Sequence, residues 1–391
     1  QMVAPSAEEL AAEQHRQDSL ATLVQEQPNE TLMASSGIPP STDTQESNTL
    51  DSMAAAKLEG VFGVFASSAV GQSMDVVLEN EMIRVTLASK GAKIKEVALK
   101  SHKKIVLDSA GNETKVPLVL LEDPKNVVDY FIPIPGLVNG GVHTQSMFFE
   151  IADQTDKSVT FRATGKNGAF FEQKYSLPQV DEYLIDYQIN SSGIPVAEGT
   201  NLNLTWINYL DKIEVNTTVE QTYGATYYKV PEDGVDNLSK RGEDKTDFDG
   251  QQVTWISNTN QFFNSTLFAK ENFPAGATYI EMLNSDATDL KKCETVLQVP
   301  ANQEFVMNWY VGPNEFGRMN AINSDFTDVI AFGSSILGTI NRWIIRPIFT
   351  FLAGFIGSMG VVILALTLIV KMVLYPLTYR MLYSQSKMGA L

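Results

Sequence analysis

The sequence predicts a mainly β protein: a large antiparallel sandwich, then an amphipathic interfacial helix, then a transmembrane α-helix. Three observations carry this. Between about Val76 and Pro313, short β-branched and aromatic runs alternate with a period of two, bounded by Gly, Asn, Asp or Pro. From Ser335 to Ala353 the small and polar positions recur at helical steps. From Val361 to Tyr379, 19 residues carry a single charge, long enough to cross most of a hydrocarbon core about 30 Å thick.

The chain has 391 residues, enough for one large domain with extras or for two. Residues 1–50 are rich in Ser, Thr, Gln, Glu and Pro. A stretch such as "SSGIPPSTDTQESNTL" cannot bury enough apolar surface to offset the cost of ordering, so a disordered tether is expected. Within it, "EELAAEQHRQ" has the composition of a transient helix. Residues 51–72 follow with Leu58, Val61, Phe62 and Phe65 at helical spacing, a short amphipathic helix expected to dock on the next domain.

The sandwich is expected over 75–315. Phe305, Met307, Trp309 and Val311 fall on one face of its last strand, with Val306, Asn308 and Tyr310 on the other. Many such strands with little helix between them favour two stacked antiparallel sheets. The polar segment 232–250 reads as a solvated loop. Its Asp247, Asp249 and Gly250 resemble part of a calcium loop, but Ile256 stands where that pattern needs Glu.

Charge is unevenly spread. From Val329 onward there is no Asp or Glu, and Arg342, Arg346, Lys371, Arg380 and Lys387 make the tail +5, leaving 24 basic and 46 acidic groups, −22, on the body. An acidic body on a basic apolar tail excludes nucleic acid as a partner and fits a soluble domain hung on a membrane anchor. Cys293 is the only cysteine, so no intramolecular disulfide forms and the thiol is expected to be a buried small hydrophobe. No GxxxxGK[ST] motif is present, and three scattered histidines with one Cys make no metal set, so neither cofactor nor metal is expected. The N-x-[ST] matches at Asn190, Asn203 and Asn216 carry no weight in a Thr-rich domain. No signal-peptide apolar region occurs in the first thirty residues; an export signal for the acidic body would precede Gln1.

The interfacial helix is expected over 330–357. Ser335, Thr339, Arg342, Arg346, Thr350 and Ala353 form one stripe, which turns Arg342 and Arg346 toward lipid headgroups and places Trp343 at the boundary. Packing of this helix on the sandwich is the alternative. Pro347 removes a backbone donor and is expected to kink it. "GSMG" (357–360) breaks the helix, and the span is expected over 359–380, closed by Tyr379 and Arg380. Arg380 and Lys387 beyond it favour a cytoplasmic side for 381–391.

Lys371 sits inside the span, about nine residues or roughly 14 Å from Arg380. Thr367, Lys371, Tyr375 and Thr378 fall on one face among Leu, Ile, Val and Met. Exposed to lipid, the Lys alone costs about 2.5–3.5 kcal/mol on insertion scales. The stripe therefore implies partner helices or a water-filled cavity, with snorkelling to the interface as the alternative.

These residues bear a resemblance. "NRWIIRPIFTFLAGFIGSMGVVILALTLIVKMVLYPLTYRMLYSQSKM" resembles the start of the insertase core of the YidC family of bacterial membrane protein insertases. Lys371 precedes Tyr375-Pro376-Leu377-Thr378, and Ser386-Lys387-Met388 follows. Upstream, "LENEMIRVTLASKGAKIKEVALKSHK", "WISNTNQFFNSTLFAK" and "NWYVGPNEF" resemble segments of the family's large periplasmic domain, so the likeness covers about residue 55 to the end. It implies a periplasmic β-super-sandwich, one span before it and four beyond the one seen here. It also implies an inner-membrane location, client membrane proteins, Sec translocon components and the lipid bilayer as partners, and no covalent chemistry. In that family a basic residue lines a hydrophilic groove that draws polar portions of a client partway into the membrane. Lys371 would be that residue, with Thr367, Tyr375 and Thr378 beside it, Pro347 and Pro376 shaping the helices, and Arg342, Trp343, Arg346 and Arg380 as interface anchors. Two departures stand out: Lys where many relatives carry Arg, which loses the planar fork, and Gly389 where a basic residue is usual.

Two other readings stay open. A membrane-anchored carbohydrate-binding or carbohydrate-acting sandwich would need an acid/base pair, commonly His with Glu; with His15 in the tether, His102 and His143 are the remaining candidates, both in polar contexts. A scaffold that holds another membrane complex would be indifferent to Lys371.

Overall fold

The computed structural model describes residues 55–107, 111–178, 182–214, 216–240, 242–248, 250–275, 278–283, 289–331 and 335–388. The expected tether with its transient helix and His15, as well as Asp249 and Gly389, lies outside them.

The mainly β reading holds: three antiparallel sheets make up the domain. The largest has nine strands in the spatial order Val235–Asn237, Ala225–Lys229, Val253–Thr259, Phe263–Phe273, Glu304–Pro313, Leu184–Ser192, Phe170–Ser176, Ser158–Thr164 and Glu150–Gln154. The second has six: Asp244–Asp247, Thr278–Leu283, Asp289–Pro300, Asn201–Asp211, Val127–Pro133 and Gly141–His143. A four-stranded meander, Asp75–Glu79, Ile83–Ala88, Lys93–Leu107 and Glu113–Leu120, completes it.

The nine- and six-stranded sheets stack face to face through aromatic side chains. Trp206 of one meets Trp309 of the other edge-on, with ring centroids 5.6 Å apart. Tyr130 and Tyr187 share a hydroxyl–hydroxyl bond of 2.7 Å across the interface, and Tyr187 also donates to Gln173 Oε1 at 2.7 Å. These phenols are fully buried, and desolvation pushes the titrations of Tyr130 and Tyr187 far above the ordinary range, so they act as neutral hydrogen-bonding groups. Cys293 is fully buried on the six-stranded sheet.

The alternation read from "EFVMNWYVG" is realised: Phe305, Met307, Trp309 and Val311 are buried, and Met307 and Trp309 pair in register with both neighbouring strands. The opposite face is covered at its far end. Tyr310 is buried beneath Phe326, which packs edge-to-face on Tyr310, Phe268 and Trp255 with centroids 5.3, 4.9 and 5.9 Å away. The short helix Phe316–Ile322 and the 3-10 segment Asp325–Val329 therefore plug the outer face of the nine-stranded sheet, with Met319, Phe326 and Val329 as their buried anchors.

At the other end, residues 55–62 are helical and run into the 3-10 segment Gly63–Ala69. Phe65 is buried, and Phe148 N–H donates to Ser68 O at 2.7 Å, so this segment lies on the sandwich. Gly63 has a positive φ of 55°, and a Cβ there would meet Ile134 and Leu137, so the turn requires glycine.

Candidate functional site

Beyond the plug the chain is helical in three stages: Ser335–Ile340, a wide π-helical turn Asn341–Ile345, and Arg346–Phe355. Pro347 sits in the first turn of the last stage, and the π turn directly before it widens the helix where the proline ring would meet the carbonyl one turn back. The helix stops at Phe355, Ile356 is extended, and a 30-residue helix runs from Met359 to Met388. It passes through Pro376 and continues beyond Arg380. Among the described residues it is the one helix long and apolar enough to cross a membrane, over Met359–Pro376.

The helical segment Ser335–Phe355 is tied to the sandwich. Arg342 Nη2 donates to Asp328 Oδ1 at 2.6 Å and Thr327 Oγ1 at 2.7 Å. Arg346 lies over the Phe316 ring, its Cζ 3.2 Å from the centroid. The stripe reading turned both arginines toward headgroups; here they grip the plug instead, because Asp325–Val329 carries the last carboxylates before an acid-free tail. Trp343, Ile344, Phe351 and Phe355 remain exposed, Trp343 at 72%. Ile344, Phe351 and Phe355 are therefore not packed on the domain, whereas Trp343 also borders a cleft between the helix and the sandwich.

Thr367, Lys371, Tyr375 and Thr378 are all exposed on the terminal helix, as is Arg380. The four do not act alike. Thr367 Oγ1 donates to Ile363 O at 2.8 Å and Thr378 Oγ1 to Leu374 O at 3.0 Å, the back-bond that lets a hydroxyl sit in an apolar helix. That leaves the Lys371 ammonium and the Tyr375 phenol as the polar groups this face presents, with the Tyr379 ring stacked on Tyr375. Leu364, Leu368, Met372 and Leu374 are exposed too, so nothing within the described residues covers this helix beyond its start, where Val362 is buried.

Among the described residues, His102 and His143 are not brought together. His143 Nδ1 bonds Asp129 Oδ2 on the six-stranded sheet, while His102 lies edge-on to Tyr183 and Phe263 with its Nδ1 unsatisfied. A separate acidic group, which sequence reasoning missed, joins Asp123, Asp211 and Asp289, whose carboxylate oxygens lie within 4.8 Å of one another. Desolvation and the neighbouring Glu122, Asp123 and Asp289 push Asp211 up to about 7, opposed by Lys104. Lys125 pairs with both Asp289 and Asp123 and stacks on Tyr209, so an ammonium supplies the countercharge where a cation would sit.

Residues 75–351 match the family described as the YidC periplasmic domain. The chain belongs to that family. Among curated relatives, the membrane protein insertase YidC of Parabacteroides distasonis is 28% identical over 99% of this chain and 62% of its own length. The YidC of Bacteroides fragilis strain ATCC 25285 is 27% identical over 99% and 61%. The chain thus spans about three fifths of the length of the YidC relatives it matches. Among solved structures, an active YidC insertase with its first transmembrane domain resolved aligns with TM-score 0.31 and 12% identity over 88% of this chain and 64% of that one. A galactose mutarotase related enzyme from Lactobacillus acidophilus aligns with TM-score 0.38 and 13% identity over 61% and 97%.

Proposed function

We propose that this chain supplies the periplasmic domain, the interfacial helix and one groove-lining span of a YidC-type insertase in the bacterial inner membrane, a non-enzymatic activity. The observation that carries it is the presented pair Lys371 and Tyr375 on an otherwise apolar, uncovered helix. An ammonium midway along a span is costly in lipid and is retained where it faces a hydrated cavity or a partner. The YidC relatives are longer than this chain, and helices supplied from such additional length would close a cavity around it.

In that cavity Lys371 acts as a fixed positive charge. It attracts acidic or hydrophilic portions of a client and lowers the cost of their passage, since opposite charges gain more where water is scarce. The client's apolar segment then partitions into lipid, and nothing covalent changes. The remaining parts of this reading are Arg342 and Arg346 holding the interfacial helix on the domain, Trp343 and Arg380 at the two interfaces, Pro347 and Pro376 shaping the helices, residues 381–391 entering the cytoplasm, and Sec translocon components as partners.

The test replaces Lys371 in the full-length protein and follows insertion of a client with an acidic translocated segment. Lys371→Arg retains insertion, and Lys371→Ala and Lys371→Glu lower it progressively at equal expression. Equal insertion by Lys371→Glu and the parent removes Lys371 from the mechanism.

A further inference from the structure

A cleft of roughly 730 Å³ separates the sandwich from the interfacial helix. One wall comes from the edge strand Val235–Asn237 and its neighbour Ala225–Lys229, with Tyr223 at the rim; the other is the helix, through Gly338, Thr339, Arg342 and Trp343. We propose that this cleft binds the headgroup of an anionic membrane phospholipid. The inference rests on the reading that Met359–Met388 spans the bilayer.

The charge of the cleft points to an anion. Two cations and one carboxylate line it: Lys240, Arg342 and Asp328. Asp328 is engaged by Arg342 at 2.6 Å, which leaves Lys240 as the net positive charge. Its position is built rather than incidental. Lys240 Nζ donates to Tyr227 Oη at 2.8 Å and lies 5.1 Å from the centre of that ring, while Lys240 O accepts from the buried Lys291 Nζ at 3.1 Å. Side chain and backbone are thus both held, and an ammonium with three donors keeps two for a phosphate. Tyr227 accepts from Lys240, so its own proton is directed to another acceptor. On a body carrying −22, a cation set this way marks a place where a negative group is welcome.

The surroundings choose a lipid over a soluble anion. The exposed Trp343 is on the cleft wall, and the exposed Tyr223 is on its rim, both amphipathic rings of the kind that sit at headgroup level. Ile344, Phe351 and Phe355 continue that exposed surface toward the start of the span at Met359. A helix lying with this arc in the interface brings the cleft mouth to the headgroups, with the glycerol and phosphate inside and the acyl chains directed to the bilayer. A bare phosphate would leave most of the volume unfilled.

The experiment titrates the chain in neutral detergent with dihexanoyl phosphatidylglycerol, dihexanoyl phosphatidylcholine or glycerol 3-phosphate, and counts bound molecules by native mass spectrometry. The expected result is saturable phosphatidylglycerol binding in preference to the other two, weakened about fivefold by Lys240→Gln, the factor one lysine contributes at an anionic surface. Tyr223→Ala weakens it as well. Lys245→Gln, the same charge change at an exposed site outside the cleft, leaves it unchanged. Equal affinity in Lys240→Gln and the parent overturns the proposal, as does equally tight binding of glycerol 3-phosphate, which would make the cleft a soluble-anion site. Alkaline extraction from phosphatidylcholine vesicles reports on the span separately. A chain that washes out overturns the spanning reading, whereas a resistant chain indifferent to Lys240→Gln overturns the cleft alone.

Discussion

Arg342 Nη2 stands 2.6 Å from Asp328 Oδ1 and 2.7 Å from Thr327 Oγ1, joining the helical segment Ser335–Phe355 to the segment that plugs the outer face of the sandwich. Both partners are partly exposed, at 30% and 41%, so solvent screening holds the pair to about 0.2–1 kcal/mol. Its effect is on orientation more than on stability. Arg342→Ala or Asp328→Ala should leave the melting temperature of the sandwich within about a degree or two while raising amide exchange over 338–345. Unchanged exchange in both variants would mean that the Arg346–Phe316 stack alone holds the helix.

Phe326 is the anchor behind that pair. It is fully buried and touches three aromatic rings. Phe326→Ala should cost about 3–5 kcal/mol and shift the emission of Trp255, whose ring centroid lies 5.9 Å away. Phe326→Leu, which keeps most of the volume, should recover more than half of the loss in a urea titration.

Asp211 gives the domain a pH dependence of definite sign. Its carboxyl is raised from 3.8 to about 7, first by burial and then by Glu122, with Asp123 and Asp289 adding and Lys104 opposing. The folded state holds this proton more tightly than the unfolded state. The contribution is therefore fully present below about pH 4 and is lost as pH rises through about 7. Asp123 is raised as well, by burial first and by its bond with Asp289, and works in the same direction. Asp211→Asn should be near neutral below about pH 4 and increasingly stabilising as pH rises to 8, read as the difference in urea midpoints.

Gly312 is required by its neighbour rather than by its own backbone angles. A Cβ there would lie 2.6 Å from Tyr183 Cβ and Cγ, so Gly312→Ala should destabilise by about 1–3 kcal/mol. Gly317→Ala, nearby in a short helix with nothing within 4 Å of the added carbon, should be neutral or slightly stabilising. Parallel melts of the two variants compare a clash with open space.

The polar stripe divides by chemistry. The hydroxyls of Thr367 and Thr378 are bonded to their own helix, so Thr367→Val and Thr378→Val should leave client insertion unchanged in the full-length protein. Tyr375→Phe should lower it. Comparable losses in all three variants would mean that the whole face contacts the client.

The legible parts of the sequence were those where one period repeats. Phe305, Met307, Trp309 and Val311 announce a strand buried on one side, and the apolar run after Gly360 announces a long apolar helix. The plug was not legible, because "SDFTDV" is too short for any period and its one large apolar residue acts through rings distant in sequence. The turn of Arg342 toward Asp328 escaped for a related reason: a helical stripe shows which residues share a face, not what the face meets. The acid-free tail after Asp328 was the available signal, since arginines just beyond the last carboxylates have a near partner. The helix also outran its expected end at Arg380. Pro376 and the polar residues that follow mark the edge of the apolar stretch, yet Met381, Leu382 and Gln385 are good helix formers.

The position of Glu304–Pro313 has a consequence for how the protein is made. The last strand in sequence is the middle strand of nine, and the two halves of that sheet meet only on it. During translation neither half can join the other until this strand emerges, and the apolar helix at Met359 is only about 45 residues behind. At roughly 5–20 residues per second, that interval is some seconds. Sheet closure and emergence of the following apolar helix are therefore nearly simultaneous, and a slow strand would leave an open sheet edge exposed just as that helix appears.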